Sequence, residues 1–151
     1  MGVIKGVKVL ESEENYLEAI LVLSLNNKRV RSIDIVNEME YSKPSVSIAM
    51  KNLLNKSYIL KDKDGNISLT AKGQKIADTV YERHVVISDW LMLLGVDRKT
   101  ALHDACHIEH ALSEKSFVAI KKHIEKYKQD SLENMENDIY NKNKKTGVKN
   151  G

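Results

Sequence analysis

From Glu11 to Leu25 the apolar positions Tyr16, Leu17, Ile20, Leu21, Leu23 and Leu25 recur at helical spacing, and Ser12, Glu13 and Glu14 supply capping chemistry at its N-terminal end. Asn26-Asn27-Lys28 breaks this helix, and a short second helix is expected from Ser32 or Ile33 to Met39, with Ile33, Ile35 and Val36 inward. Glu40-Tyr41-Ser42 reads as a tight turn. Ser42 then caps a third helix that carries Pro44 in its first turn and runs to about Asn55. Tyr58-Ile59-Leu60 and Ile67-Ser68-Leu69 are β-prone runs on either side of Asp64-Gly65-Asn66, which predicts a two-stranded hairpin. Thr70 caps a long helix from near Ala71, with Ile76, Val80, Val85 and Leu91 as its apolar positions and a stop at Leu94-Gly95. Asp97 caps a helix that includes His103 to Ala111, and Ser113 opens another that ends near Tyr127.

Helix, short helix, turn, helix and two-stranded hairpin, in that order, make a winged helix-turn-helix. The expected fold is therefore mainly α: a DNA-binding winged helix-turn-helix over 1–71, an all-helical domain over 72–141, and a disordered polar tail over 142–151. The single Pro44 and single Phe117 argue against a sandwich-like β fold.

Composition narrows the class further. No apolar run approaches the roughly 20 residues that cross a bilayer, and the first ten residues lack the long apolar segment of a secretion signal. One cysteine, Cys106, makes no intramolecular disulfide, which suits the cytoplasm. The net charge of +3 is weak evidence for nucleic acid by itself. The placement of charges matters more: Ser42, Lys43, Pro44, Ser45 and Ser47 cluster at the start of the third helix, with Lys51 further along it. Small hydroxyls and a cation at a helix N-terminus suit phosphates and base edges, and Pro44 suits a thymine methyl group. In the hairpin, Lys61, Lys63 and Asn66 are further candidates, opposed by Asp62 and Asp64.

Cys106, Glu109 and His110 stand at i, i+3 and i+4, so on a helix they offer a thiolate, a carboxylate and an imidazole from one face. His84 on the preceding long helix, and Asn15 with Glu18 on the first, complete a metal site if the three helices converge. Taken singly, His84 reads as a half-buried histidine, Cys106 as a small core residue and Glu18 as a solvated charge. Their joint placement favours ligands. His103, His107 and His110 share i, i+4 and i+7 spacing, which offers a separate Zn(II) face as an alternative, with His103 and His107 read as surface residues.

At these residues the chain resembles the iron-dependent repressor family, which includes the manganese-transport regulators. The resemblance is carried by Asn15-Tyr16-Leu17-Glu18-Ala19-Ile20, Ser42-Lys43-Pro44-Ser45-Val46-Ser47, Leu69-Thr70-Ala71-Lys72-Gly73, Glu82-Arg83-His84, Leu94-Gly95-Val96-Asp97 and Cys106-His107-Ile108-Glu109-His110-Ala111-Leu112-Ser113, spanning about Glu11 to His123. It implies a homodimeric, metal-dependent repressor of divalent metal homeostasis that binds a pseudo-palindromic operator on double-stranded DNA. It also implies the ligand set Glu18, His84, Cys106, Glu109 and His110, with Asn15 where the family has aspartate or methionine. By the same resemblance Ser88 and Leu102 are expected to stand where iron-sensing relatives have second-site ligands, and the C-terminal SH3-like domain of those relatives is not expected within these 151 residues. The soft thiolate of Cys106 favours Fe(II), with Mn(II) or Zn(II) as alternatives. The competing expectation is a winged-helix regulator that responds to a small molecule or to oxidation of Cys106. A metallohydrolase is disfavoured, because no general base stands apart from the ligands.

Overall fold

The computed structural model describes residues 3–4, 7–27 and 29–147; Lys28, expected in the break after the first helix, and 148–151, the end of the expected tail, lie outside the described residues. The chain forms two compact units, one up to Leu112 and one from Ser113 onward.

The first unit opens with a short antiparallel pair, β1 (Val3–Ile4) and β2 (Val7–Lys8). It continues through α1 (Glu11–Asn26), α2 (Ser32–Met39), α3 (Lys43–Asn55), β3 (Ile59–Lys61), β4 (Ile67–Leu69), α4 (Ala71–Leu93) and α5 (Arg98–Ala111). Helix α1 begins one residue before Ser12, and Leu10 at its N-cap gives no side-chain cap; Glu11, Glu13 and Glu14 instead place negative charge against the first turn. At the other starts the expected caps are in place. Ser42 Oγ accepts from the Ser45 amide, Thr70 Oγ1 from Gly73 and Asp97 Oδ2 from Thr100.

The hairpin pairs Ile59 with Leu69 and Lys61 with Ile67. Its turn is held by Asp62, whose Oδ1 accepts from the amides of Asp64 (2.9 Å) and Asn66 (2.8 Å), and Gly65 supplies the positive φ of 85° that the tip requires. Hydrogen bonds from Asn66 hold the Asp62 carboxyl below the usual aspartate range. Asp62 is therefore occupied within the turn. Arg31 Nη2 donates to the Asp64 carbonyl at 2.7 Å and so ties the hairpin to the helix-turn-helix.

One core joins α1, α2, α3, the hairpin and the start of α4: Leu17, Ile20, Ile35, Val46, Met50, Leu53, Tyr58, Ile59, Ile76 and Val80 are all buried in it. Helix α4 also packs on α5, with Ile87, Ala101 and Ala105 fully buried. Three of the expected apolar positions face out, Leu25 near the end of α1 among them. Ile33 stands about 160° around α2 from the fully buried Ile35, and Val85, 37% exposed, stands about 140° around α4 from Val80, whereas Ile87 returns to the buried face.

In the second unit, α6 (Glu114–Thr146) starts with Ser113 Oγ accepting from the Ser116 amide at 3.2 Å. It continues past Tyr127, the expected end, and through the first half of the segment expected to be a disordered tail. No proline or glycine interrupts 114–146, and the lysine, glutamate and asparagine there are compatible with helix, so termination waits for Gly147. Among the described residues no helix is long and apolar enough to cross a membrane.

Candidate metal centre and DNA-reading face

Helix α1 packs on α4, and α4 on α5, which brings three distant parts of the chain together. Ligand atoms of Glu18, His84 and Glu109 lie within 4.8 Å of one another. Glu109, only 2% exposed, sits between two histidines: Oε2 is 3.0 Å from His84 Nδ1 and Oε1 is 3.3 Å from His110 Nε2. His110 Nε2 also stands 2.8 Å from Asn15 Oδ1. On the opposite flank, the exposed Cys106 places Sγ 3.8 Å from His84 Nδ1. Glu18, His84 and Glu109 therefore meet at one point, while His110 adjoins it through Glu109, Asn15 through His110 and Cys106 through His84.

The electrostatics describe a site that holds protons where a cation fits. Burial, with a hydrogen bond from its side chain to Glu109, pushes Glu18 up to about 8. Hydrogen bonds to Cys106 and Glu109 raise His84 to about 10. Burial works to lower His110, but Glu109 and Glu14 outweigh it and raise the imidazole to about 9. Burial likewise works to raise Glu109, while hydrogen bonds from His110, His84 and Glu18 hold it below the usual glutamate range. Glu18 Oε2 is buried with no hydrogen-bond partner among the described residues. An unpartnered carboxylate oxygen beside two imidazoles, a second carboxylate, an amide oxygen and a thiol is a donor set that fits a divalent transition metal.

Sequence spacing missed Glu14. It is buried, and its Oε2 lies 3.5 Å from His110 Nδ1, the ring nitrogen that faces away from Asn15. A carboxylate on that side fixes the ring's orientation and leaves Nε2 toward the other donors. The signal was thin, since Glu14 only adjoins Asn15 in sequence. The histidine trio on α5 separates: His110 is buried in the centre, while His103 and His107 are exposed, their rings in edge contact at 5.0 Å.

On α3, Val46, Met50 and Leu53 face the core, which leaves Pro44, Ser47 and Lys51 on the solvent side together with Ser42, Lys43 and Ser45 at the helix start. Ser42 Oγ donates to Ser45 Oγ at 2.8 Å, so these two hydroxyls are partly committed to the cap. Ile48 was also missed. It is 63% exposed and completes the i, i+3, i+4, i+7 stripe of Pro44, Ser47, Ile48 and Lys51.

Residues 70–136 match the family model described as iron dependent repressor, metal binding and dimerisation domain. An uncharacterized helix-turn-helix transcriptional regulator of Methanocaldococcus jannaschii is 32% identical over 120 residues, covering 78% of this chain and 96% of that protein. The transcriptional regulator MntR of Escherichia coli is 30% identical over 114 residues, covering 76% of this chain and 74% of its own length. Among solved structures, the manganese regulator SloR superposes with a TM-score of 0.68 at 32% identity, covering 75% of this chain. The match spans 53% of the SloR chain.

Proposed function

Because the chain belongs to the iron-dependent repressor family of metal-dependent transcriptional regulators, we propose that it is a homodimeric repressor of divalent metal homeostasis in the cytoplasm, holding its metal through Glu18, His84, Cys106, Glu109, His110 and Asn15. The observation that carries this reading is the convergence of Glu18, His84 and Glu109 from three helices around one point. In this reading 1–71 reads DNA and 72–141 binds metal and dimerises, with the exposed apolar Val85 and Leu93 of α4 and Leu94 just after it available to a second copy.

Glu18, His84 and Glu109, with the donors beside them, would hold a divalent cation, which would supply the positive charge that protons otherwise bring to this centre. Asn15 and Glu18 would then hold α1 against α4 and α5. The same helix is linked to α3, because Glu13 Oε1 accepts from Lys56 Nζ at 2.6 Å, and Lys56 is the C-cap of α3. Helix α1 is thus gripped by the ligand helices on one side and by the DNA-reading helix on the other. Higher metal affinity for the operator-binding arrangement is the driving force. Two copies related by a two-fold axis would set their α3 helices about one DNA turn apart, roughly 34 Å, on a pseudo-palindromic operator. Ser42, Lys43 and Ser45 face the backbone at the helix start, while Pro44, Ser47, Ile48 and Lys51 face base edges, with Pro44 and Ile48 suited to thymine methyl groups.

Cys106 tips the preference toward Fe(II), since a thiolate is a poor partner for Mn(II). Exchanging it for a carboxylate should reverse this: Cys106→Glu is expected to raise the ratio of Mn(II) to Fe(II) affinity by on the order of tenfold. Anaerobic competition against a fluorescent chelator measures the ratio, and an unchanged value would remove Cys106 from the ligand set.

Proton release follows from the raised groups. At pH 7 Glu18, with a value near 8, and His84 and His110, with values near 10 and 9, all carry protons in the metal-free protein. Metal needs their deprotonated forms, so affinity should rise with pH by roughly tenfold per unit for each proton displaced, with about two or three released near neutrality. The slope should slacken above pH 8, once Glu18 ionises unaided. For metal-free stability the sign is opposite. A folded state with raised values binds protons more tightly than the unfolded chain, so stability falls as pH rises from about 4.5 through 8 for Glu18 and from about 6.5 through 9 to 10 for the histidines. Calorimetric titrations in buffers of different ionisation enthalpy count the protons, and a count of zero would contradict this site.

The test of the whole function is fluorescence anisotropy of a labelled duplex from upstream of the chain's own gene, under anaerobic reducing conditions at fixed salt. Binding should tighten when Fe(II) or Mn(II) is added and relax with chelator. Binding indifferent to metal would overturn the reading.

A further inference from the structure

Helix α4 gives two consecutive side chains to α5. His84 meets the Glu109 carboxylate, and Arg83, one residue earlier, aims its guanidinium at the end of the same helix. Arg83 Nη1 donates to the Glu109 carbonyl at 3.1 Å and to the Leu112 carbonyl at 2.5 Å. Helix α5 ends at Ala111, so both acceptors lie where carbonyls lack onward helical partners. A cation at this end also meets the negative pole of the helix. The Glu109 residue is therefore held twice from α4, through its backbone by Arg83 and through its side chain by His84. His110 follows directly and depends on the same backbone position to bring Nε2 within 2.8 Å of Asn15 Oδ1.

A helix packed on another by apolar contacts can slide or rotate slightly with little change in buried area, because those contacts are not directional. Hydrogen bonds to carbonyls 26 and 29 residues away have a preferred geometry, and they remove that freedom at the turn that carries Glu109 and His110. We infer that Arg83 is a positioning residue for the metal centre: it places the last turn of α5 so that Glu109 and His110 reach the donors of α1 and α4 together, without touching the metal itself. This inference rests on the metal reading above.

The experiment uses Co(II) as a spectroscopic probe on the full chain, comparing wild type with Arg83→Gln and Arg83→Lys by titration of the visible d–d bands and by metal-free thermal melts. The Gln variant should bind Co(II) about 10 to 100 times more weakly, with altered band positions or intensities, as happens when support around a ligand is removed. The Lys variant, which keeps a cation at the helix end, should recover part of both. A change in the bands separates positioning from mere stabilisation, since a lower melting temperature alone leaves the coordination sphere as it was. If both variants show wild-type affinity and wild-type bands, the inference is overturned, whatever the melts show. Should the Gln variant fail to fold, the Lys variant decides by the same two readouts. A wild-type protein that takes up no Co(II) overturns the metal reading itself, an outcome distinct from failure at Arg83.

Discussion

Glu109→Ala is expected to weaken metal binding by about a thousandfold, roughly 4 kcal/mol, and to abolish the gain in operator affinity that metal brings. Glu109 is the residue whose two carboxylate oxygens face different histidines, His84 at 3.0 Å and His110 at 3.3 Å, and it shares a hydrogen bond with Glu18. Its removal takes negative charge from the middle of the donor set and leaves two imidazoles facing each other without it. Linkage requires that a variant unable to bind metal is also unable to respond to it on DNA. Glu109→Gln makes the control: volume is kept and charge is lost, and binding should fall nearly as far. Calorimetry for metal and anisotropy for DNA, on the same preparations, read both quantities. A Glu109→Ala protein whose operator affinity still rises with metal would place the sensing site elsewhere in the chain.

Gly73→Ala is expected to destabilise the fold by about 3 kcal/mol or more, lowering the melting temperature by on the order of 10 °C. A Cβ at Gly73 would lie 2.0 Å from the Tyr58 carbonyl oxygen and 2.9 Å from its carbon, a backbone group rather than a side chain that could swing aside. Tyr58 cannot retreat easily. Its carbonyl accepts from the Thr70 amide at 3.0 Å, Thr70 Oγ1 donates to the Ser57 carbonyl at 2.7 Å, and the Lys72 ammonium rests 4.9 Å from the Tyr58 ring centroid. The start of α4 and the first strand of the hairpin are thereby pressed together, and Gly73 is the residue that permits the approach. Urea denaturation of the metal-free protein measures the loss. A change below about 1 kcal/mol would mean that the two backbones separate at little cost. Because α4 also carries Arg83 and His84, some weakening of the metal centre should accompany the loss.

Much of the chain was legible before folding because the relevant interactions span only a few residues. Ser42, Thr70, Asp97 and Ser113 cap the helices at whose heads they stand, since a cap needs only the amides two or three positions onward. Asp64-Gly65-Asn66 makes the hairpin turn for the same reason. The placement of Cys106, Glu109 and His110 on one turn follows from the helical period, and of the residues read as candidate ligands the packing brings Glu18, His84 and Glu109 to one point. Where local pattern misled, it did so because apolarity was counted without angle: Ile33 and Val85 are apolar, yet they stand away from the buried faces of their helices. The long continuation of α6 was missed because polar, basic composition was read as disorder, although helix-compatible residues without a breaker extend it to Thr146.

By itself, then, the sequence determined the starts of α3, α4, α5 and α6, the hairpin and the shared helix face of the candidate donors on α5, all consequences of covalent proximity and helical spacing. Tertiary structure alone decided that Glu109 stands between two histidines, that Glu14 takes the far nitrogen of His110, that Arg83 reaches the end of α5 and that Ile48 lies open on α3. These are meetings of residues far apart in the chain, Glu14 and His110 at its extremes, or exposures left over once the core has formed. Only the packing of α1 on α4 and of α4 on α5 fixes which atoms face one another, because no local rule carries the rotation of one helix against its neighbour.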